Sequence, residues 1–266
     1  MLHIHWKARH KTIAQELQRF FGKELFQFPI IRRSFSPVDL PNLQIAINQL
    51  TASSESSAVT LGYTSYHGDY QNSLRELIAP TSYASVGPVQ FRDVDIDTEN
   101  HIQCVENGIF LLQVRNGKVA AHIRGENYMT KGSIELEVMS DVPQVAAQFI
   151  EQIRESIIRS NIYRSKILSL ECDQSWGAHG VNQVRFHQLP EVKREEIILP
   201  EKTLHLLERN TVHFARHAEV LKRSGRSLKR GLLLHGKPGT GKTHSIRWLT
   251  HALKGTTVIL LSGEQL

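Results

Sequence analysis

The residues best suited to chemistry lie near the end of the chain: Gly236, Lys237, Pro238, Gly239, Thr240, Gly241, Lys242 and Thr243. They fit the spacing G-x-x-x-x-G-K-[ST], a loop that cradles a triphosphate. Phosphate oxygens need several donors converging on one concave surface. Glycines let backbone N–H groups approach them without a Cβ in the way. Lys242 then reaches the β- and γ-phosphates, and the Thr243 hydroxyl is placed to ligate Mg²⁺. The cofactors this chemistry calls for are ATP and Mg²⁺.

The flanks must aim those groups. Gly231-Leu232-Leu233-Leu234-His235 is short and apolar, the pattern of a fully buried parallel strand. After the loop, Ile246, Leu249 and Leu253 recur at steps of three and four, which predicts a helix ending at Lys254-Gly255. Residues 256–261 (TTVILL) predict a second buried strand. Strand, glycine loop and helix together direct a helix N-terminus at the phosphates.

The run from Leu228 to Thr243 (LKRGLLLHGKPGTGKT) resembles the opening of an AAA-family ATPase module, with Lys237 where that family usually carries its first proline. The resemblance reaches upstream to about Ile197 and covers the C-terminal part of the chain only. It implies an α/β module that hydrolyses ATP, works as a ring-shaped homo-oligomer and remodels a protein or other macromolecular substrate. It also implies that Ile198 and Leu199 contact the adenine. The acidic strand end, sensor residue and arginine finger of that family would lie beyond Leu266. The resemblance therefore predicts an incomplete module in a chain that does not turn over ATP by itself, so the catalytic residues stay unassigned.

The chain has 266 residues, 40% hydrophobic and 22% charged, which gives room for two domains. Cys104 and Cys172 have no C-x-x-C spacing, so neither a zinc site nor a disulfide framework is indicated. The N-terminus lacks an apolar signal core, and no run approaches the length of a membrane span. These features predict a cytoplasmic protein without membrane contact. Net charge is +6, and cations gather at Arg216, Lys222, Arg223, Arg226, Lys229 and Arg230, with His217 among them. No aromatics are interleaved with them as a nucleic-acid surface requires, so the reading is a solvated face or a subunit interface. His213 and His217 have i, i+4 spacing but no H-E-x-x-H glutamate, and are read as ordinary histidines.

Upstream, Ile13, Leu17, Phe20 and Phe21 predict an amphipathic helix over residues 7–21 stopped by Gly22, and Pro41 starts another through Leu43, Ile47 and Leu50. Residues 51–60 read as a polar loop. The stretch 61–88 is ambiguous, with one or two helical turns at 73–78. From Val89 the period changes to two: residues 89–96, 110–114, 119–123 and 134–138 predict an antiparallel sheet of about four strands. Asn116-Gly117 is the hairpin turn, and Glu135 and Glu137 face water. Pro143, capped by Ser140 or Asp141, opens a helix with a Val145, Phe149, Ile153 and Ile157 stripe that covers the sheet. Trp176-Gly177 sits in a polar loop.

The expected organisation is an α+β recognition domain over residues 1–185, a connector over 186–200 with two prolines, and the start of an AAA-type α/β module over 201–266. Two functions follow. One is an ATPase whose first domain selects a partner. The alternative is a non-catalytic module that holds nucleotide and binds a partner.

Overall fold

The computed structural model describes residues 11–52, 58–65, 72–125, 132–172 and 181–261. It is a mixed α/β chain built on a mainly antiparallel sheet, and it divides into two compact units. The larger comprises the residues up to Ile162 together with Leu170–Val184; the smaller takes Tyr163–Ser169 and the residues from Arg185 on. No helix among the described residues is long and apolar enough to cross a membrane. The first residues of the expected 7–21 helix, and Trp176-Gly177, lie outside the described residues.

The larger unit begins with α1 (Ile13–Phe21), whose Thr12 and Gln15 form a reciprocal capping box and whose chain leaves through Gly22. Next come β1 (Ile30–Phe35), α2 (Leu40–Ala52), β2 (Val59–Thr64), α3 (Leu74–Leu77) and β3 (Ser85–Gly87). β4 (Gln90–Asp95), β5 (His101–Val114), β6 (Gly117–Arg124), β7 (Ile134–Ser140) and α4 (Pro143–Arg159) complete it. The strands make one seven-stranded sheet of order β1-β7-β6-β5-β2-β3, with β4 also on β5, and every pairing in it is antiparallel. The sheet is thus larger than the four strands expected. β1 and β3 gave no period-two signal of their own, and β2 starts inside the stretch read as a loop.

The hairpin forms where expected but turns one residue earlier. Val114 pairs with Gly117, so the loop is Arg115-Asn116. Neither residue has a positive φ. Gly117 therefore follows the turn as the first residue of β6. α4 starts at Pro143, as predicted, but its N-cap is Val142. Ser140 Oγ accepts from the Val142 N–H at 3.2 Å, two residues before the capping position.

Both faces of the sheet are covered. Phe110, Leu112, Ala121, Leu136 and Val138 pack under α2 and α4 with Leu43, Ile47, Phe149 and Ile153. Ile109, Leu111, Ala120 and Met139, the alternate residues of the same strands, pack under α1 and α3 with Ile13, Leu17, Leu74 and Leu77. That second layer corrects the expectation that Glu135 and Glu137 face water. The Glu137 side chain is 1% exposed. Its Oε1 accepts from Arg32 Nε at 2.9 Å and its Oε2 accepts from the Leu74 N–H. His122 Nδ1 lies 3.6 Å from Oε2, and on the other side of the ring Nε2 is 3.1 Å from the Tyr63 hydroxyl, which also donates to Asn107 Oδ1 at 2.8 Å. Glu135 pairs with Arg124 and, at 3.3 Å, with Arg32. Buried carboxylates are kept only with such partners, and here two guanidiniums face two carboxylates.

After α4, β8 (Ile167–Cys172) and β9 (Val181–His187) belong to a three-stranded sheet of order β10-β8-β9. Helix α5 (Glu201–Glu208) continues through a π-helical turn, Arg209–His213, into α6 (Phe214–Arg216) and α7 (Ala218–Arg223); α8 (Lys242–Ala252) and β10 (Val258–Leu260) follow. β10 pairs in parallel with β8, Val258 opposite Ile167 and Leu260 opposite Ser169, and Ile259 is half exposed. Val192 and Ile197, from the stretch read as a connector, are buried with Leu204, Leu207, Val212 and Trp248.

Candidate phosphate-binding site

The loop from Gly236 to Thr243 is shaped first by its glycines. Gly239 and Gly241 sit at φ 80° and 82°, and a Cβ at either would meet nothing within 4 Å. Their requirement is therefore conformational, since an L side chain is strained in the left-handed region however much room it has. Between them, Thr240 Oγ1 donates to the Lys237 carbonyl at 2.8 Å and tightens the turn. Gly241 is the N-cap of α8 and supplies no capping side chain. The first intrahelical bond of α8 runs from Ser245 N–H to the Gly241 carbonyl. The N–H groups ahead of it have no intrahelical acceptor and carry the positive end of the helix dipole.

Lys242 is the first residue of α8. Its Nζ donates to the Gly236 and Lys237 carbonyls, both at 2.8 Å, so the side chain folds back over the loop. Thr243 is exposed in the first turn. Trp248 and Ser245 bury the opposite side of α8: Trp248 joins the apolar cluster of α5, and Ser245 Oγ donates to the Gly241 carbonyl at 3.0 Å. The apolar positions that predicted this helix thus include its anchor only in part, because Ile246 is exposed and Trp248 carries the packing.

A cavity of about 510 Å³ adjoins the loop. Gly236, Thr240, Lys242 and Ser245 form its polar end, and Leu199, Leu206 and Leu207 line its apolar part. Leu199 and the phosphate loop are therefore brought together. Ile198 is not: it is 94% exposed and outside the lining. Thr203, Leu206, Leu207 and Asn210 were missed from sequence, since a helix face of ordinary residues carries no motif. Asn210 is held in place, its Nδ2 donating to the Leu206 carbonyl at 2.7 Å and its Oδ1 accepting from Arg230 at 2.6 Å. Arg230 also stacks 4.4 Å from the centre of the Phe214 ring, so this cation is a local brace.

Residues 231–235 do not form the buried strand expected of them. They carry no strand pairing, and Leu233 is 91% exposed. A parallel strand is held by neighbours on its edges, and among the described residues β10 pairs with β8 and none pairs with 231–235. No group of three or more His, Cys, Asp or Glu side chains is arranged for a metal among the described residues. A Mg²⁺ bound here would rest on the Thr243 hydroxyl and on phosphate oxygens. His217 Nδ1 is 2.7 Å from the His213 carbonyl, one turn back along the helix. No family model matches the chain, and comparison with curated proteins returns no match.

Proposed function

We propose that this chain binds Mg·ATP at residues 236–243, and that in the complete protein an AAA-type module hydrolyses it to drive remodelling of a protein or other macromolecular partner. The observation that carries the reading is the loop itself: two left-handed glycines feed an 11-residue helix whose first residue is a lysine folded over the loop's own carbonyls. The donor set fits a triphosphate. The ammonium of Lys242 exchanges two neutral carbonyls for charged oxygens, and charge-assisted hydrogen bonds are about twice as strong as neutral ones. The free N–H groups at the start of α8 add to it. The apolar part of the cavity, with Leu199, Leu206 and Leu207, takes a flat base. Bound Mg²⁺ neutralises phosphate charge, with Thr243 as its protein ligand. The partner-selecting role falls to the antiparallel unit, and the whole protein works as a homo-oligomeric ring.

One observation favours the second reading, a module that holds nucleotide without hydrolysing it. Among the described residues, no carboxylate lines the cavity, so nothing there polarises an attacking water. Titration with a fluorescent ATP analogue, with and without Mg²⁺, tests the binding step. Lys242→Ala is expected to weaken binding by about 10- to 100-fold, the worth of one or two charged hydrogen bonds. Thr243→Ala is expected to make affinity insensitive to Mg²⁺. Unchanged affinity in Lys242→Ala would remove the site. Phosphate release at saturating ATP separates the two readings.

A further inference from the structure

At the other end of α8 lies a second cavity, of about 680 Å³, that shares no lining residue with the first. A helix of 11 residues is about 16 Å long, so the two openings are separate places on the molecule. Its walls come from the 3₁₀ turn at Arg194, the end of α5, the π-helical turn, α6, the last turn of α8 and the chain leading to β10. All of these belong to the smaller unit. The volume is that of a small-molecule site.

Its chemistry is asymmetric. Arg194, Arg216 and Lys254 line it, against the single carboxylate of Glu208. Glu208 is already committed: its Oε1 accepts from Arg194 Nε at 2.7 Å. Arg216 and Lys254 have no carboxylate within ion-pair distance among the described residues, and the His213 ring adds a further N–H group. The apolar part of the lining is Val212, Leu253 and Trp248. Trp248 is 6% exposed and packs in the apolar cluster with Leu204, Leu207 and Val212.

One effect works against an anion. The C-terminal end of α8 carries about half a negative charge. It faces two whole cations, Arg216 and Lys254, so the positive charge at the cavity is the larger. The cations win. Inorganic phosphate would satisfy them but would leave the Trp248 side of the cavity unfilled.

We infer that this cavity is a binding site for a small organic anion, with a flat apolar body against Trp248, Val212 and Leu253 and a phosphate or carboxylate group held by Arg216 and Lys254. The site would take an effector or substrate fragment distinct from the nucleotide at the phosphate loop. It is independent of whether that loop binds ATP.

The probe is 1-naphthyl phosphate, titrated into the 266-residue chain carrying Lys242→Ala so that the phosphate loop does not compete. Trp6→Phe and Trp176→Phe leave Trp248 as the only indole reporter. Saturable quenching is expected, weakened at least tenfold by the double variant Arg216→Glu, Lys254→Glu. Both side chains are exposed, so their reversal leaves the fold intact by circular dichroism. Arg216→Gln alone, a milder change, should weaken binding about threefold or more. Naphthalene without the phosphate, and inorganic phosphate alone, should each bind far more weakly. The inference is overturned by any of three results: no saturation at millimolar probe, full affinity in the charge-reversed protein, or inorganic phosphate binding as tightly as the naphthyl ester.

Discussion

At Glu137 a carboxylate that alternates outward in sequence ends in the interior, and its surroundings set its titration. Burial alone would raise its pKa. The interaction with His122, the Leu74 N–H and the Arg124 charge together outweigh that and bring it down to about 2. For His122 the balance runs the other way: burial, helped by Arg124, lowers its pKa despite the pull of Glu137. Both shifts act in one direction on stability. Unfolded His122 takes up a proton below pH 6.5 while the folded ring resists it. Unfolded Glu137 takes one up below pH 4.5 while the folded carboxylate holds out to about 2. In each range the unfolded state binds more protons, so stability falls as pH falls. The urea midpoint of the larger unit should therefore be level above about pH 7, decline below pH 6.5 and drop further below pH 4.5. Glu137→Gln should cost about 1–3 kcal/mol at neutral pH by taking the charged acceptor away from the Leu74 N–H and Arg32. It should also flatten the acid limb of the curve. A curve with no slope between neutrality and pH 4.5 would contradict the assignment.

Among the elements, β5 does the most to organise the sheet. Its first half pairs with β4, and its second half with β2 on the same side and β6 on the other. Where β4 gives way to β2, the chain leading into β4 passes against β2 so closely that a Cβ on Gly62 would sit 2.0 Å from the Pro88 carbonyl oxygen. Backbone, not a flexible side chain, occupies that space. Gly62→Ala should therefore lower stability by about 1–3 kcal/mol or more, the usual cost of overpacking a formed core. Chemical denaturation checks it, and a loss under half a kcal/mol would show that the two segments can part. The α8 element presents a similar division of labour. Gly239 and Gly241 give its start the geometry an anion needs, while Trp248 holds its body down.

For the whole molecule, the net charge of +6 is unevenly spread, with Arg216, Lys222, Arg223, Arg226, Lys229 and Arg230 gathered on the smaller unit. The larger unit closes its own core. Strands β1–β7 and helices α1–α4 all lie before Ile162, as do the residues of both apolar layers. A fragment ending at Ile162 should then unfold in a single cooperative urea transition followed by far-UV circular dichroism. Its midpoint should be within a few tenths molar of the corresponding transition in the whole chain. A gradual, uncooperative melt would show that the strands after Ile162 are part of that core.

What local sequence determined on its own was whatever depends on near neighbours. The loop from Gly236 to Thr243, the α4 stripe of Val145, Phe149 and Ile153, the Gly22 stop of α1 and the β5–β6 hairpin each rest on residues a few positions apart. Their chemistry or periodicity is complete within that span. Even there, the side of Asn116 on which the chain turns depended on the pairing of Val114 with Gly117. Tertiary structure alone decided the rest. Period two in β7 says that one face is buried, but not that α1 and α3 lie over the other, so the burial of Glu137 could not be read from it. An apolar run such as residues 231–235 becomes a strand only if partners reach its edges, and strand pairing is non-local. The cavity beside Trp248 gathers residues from Arg194 to Thr256, and no spacing along the chain marks side chains that only folding brings together.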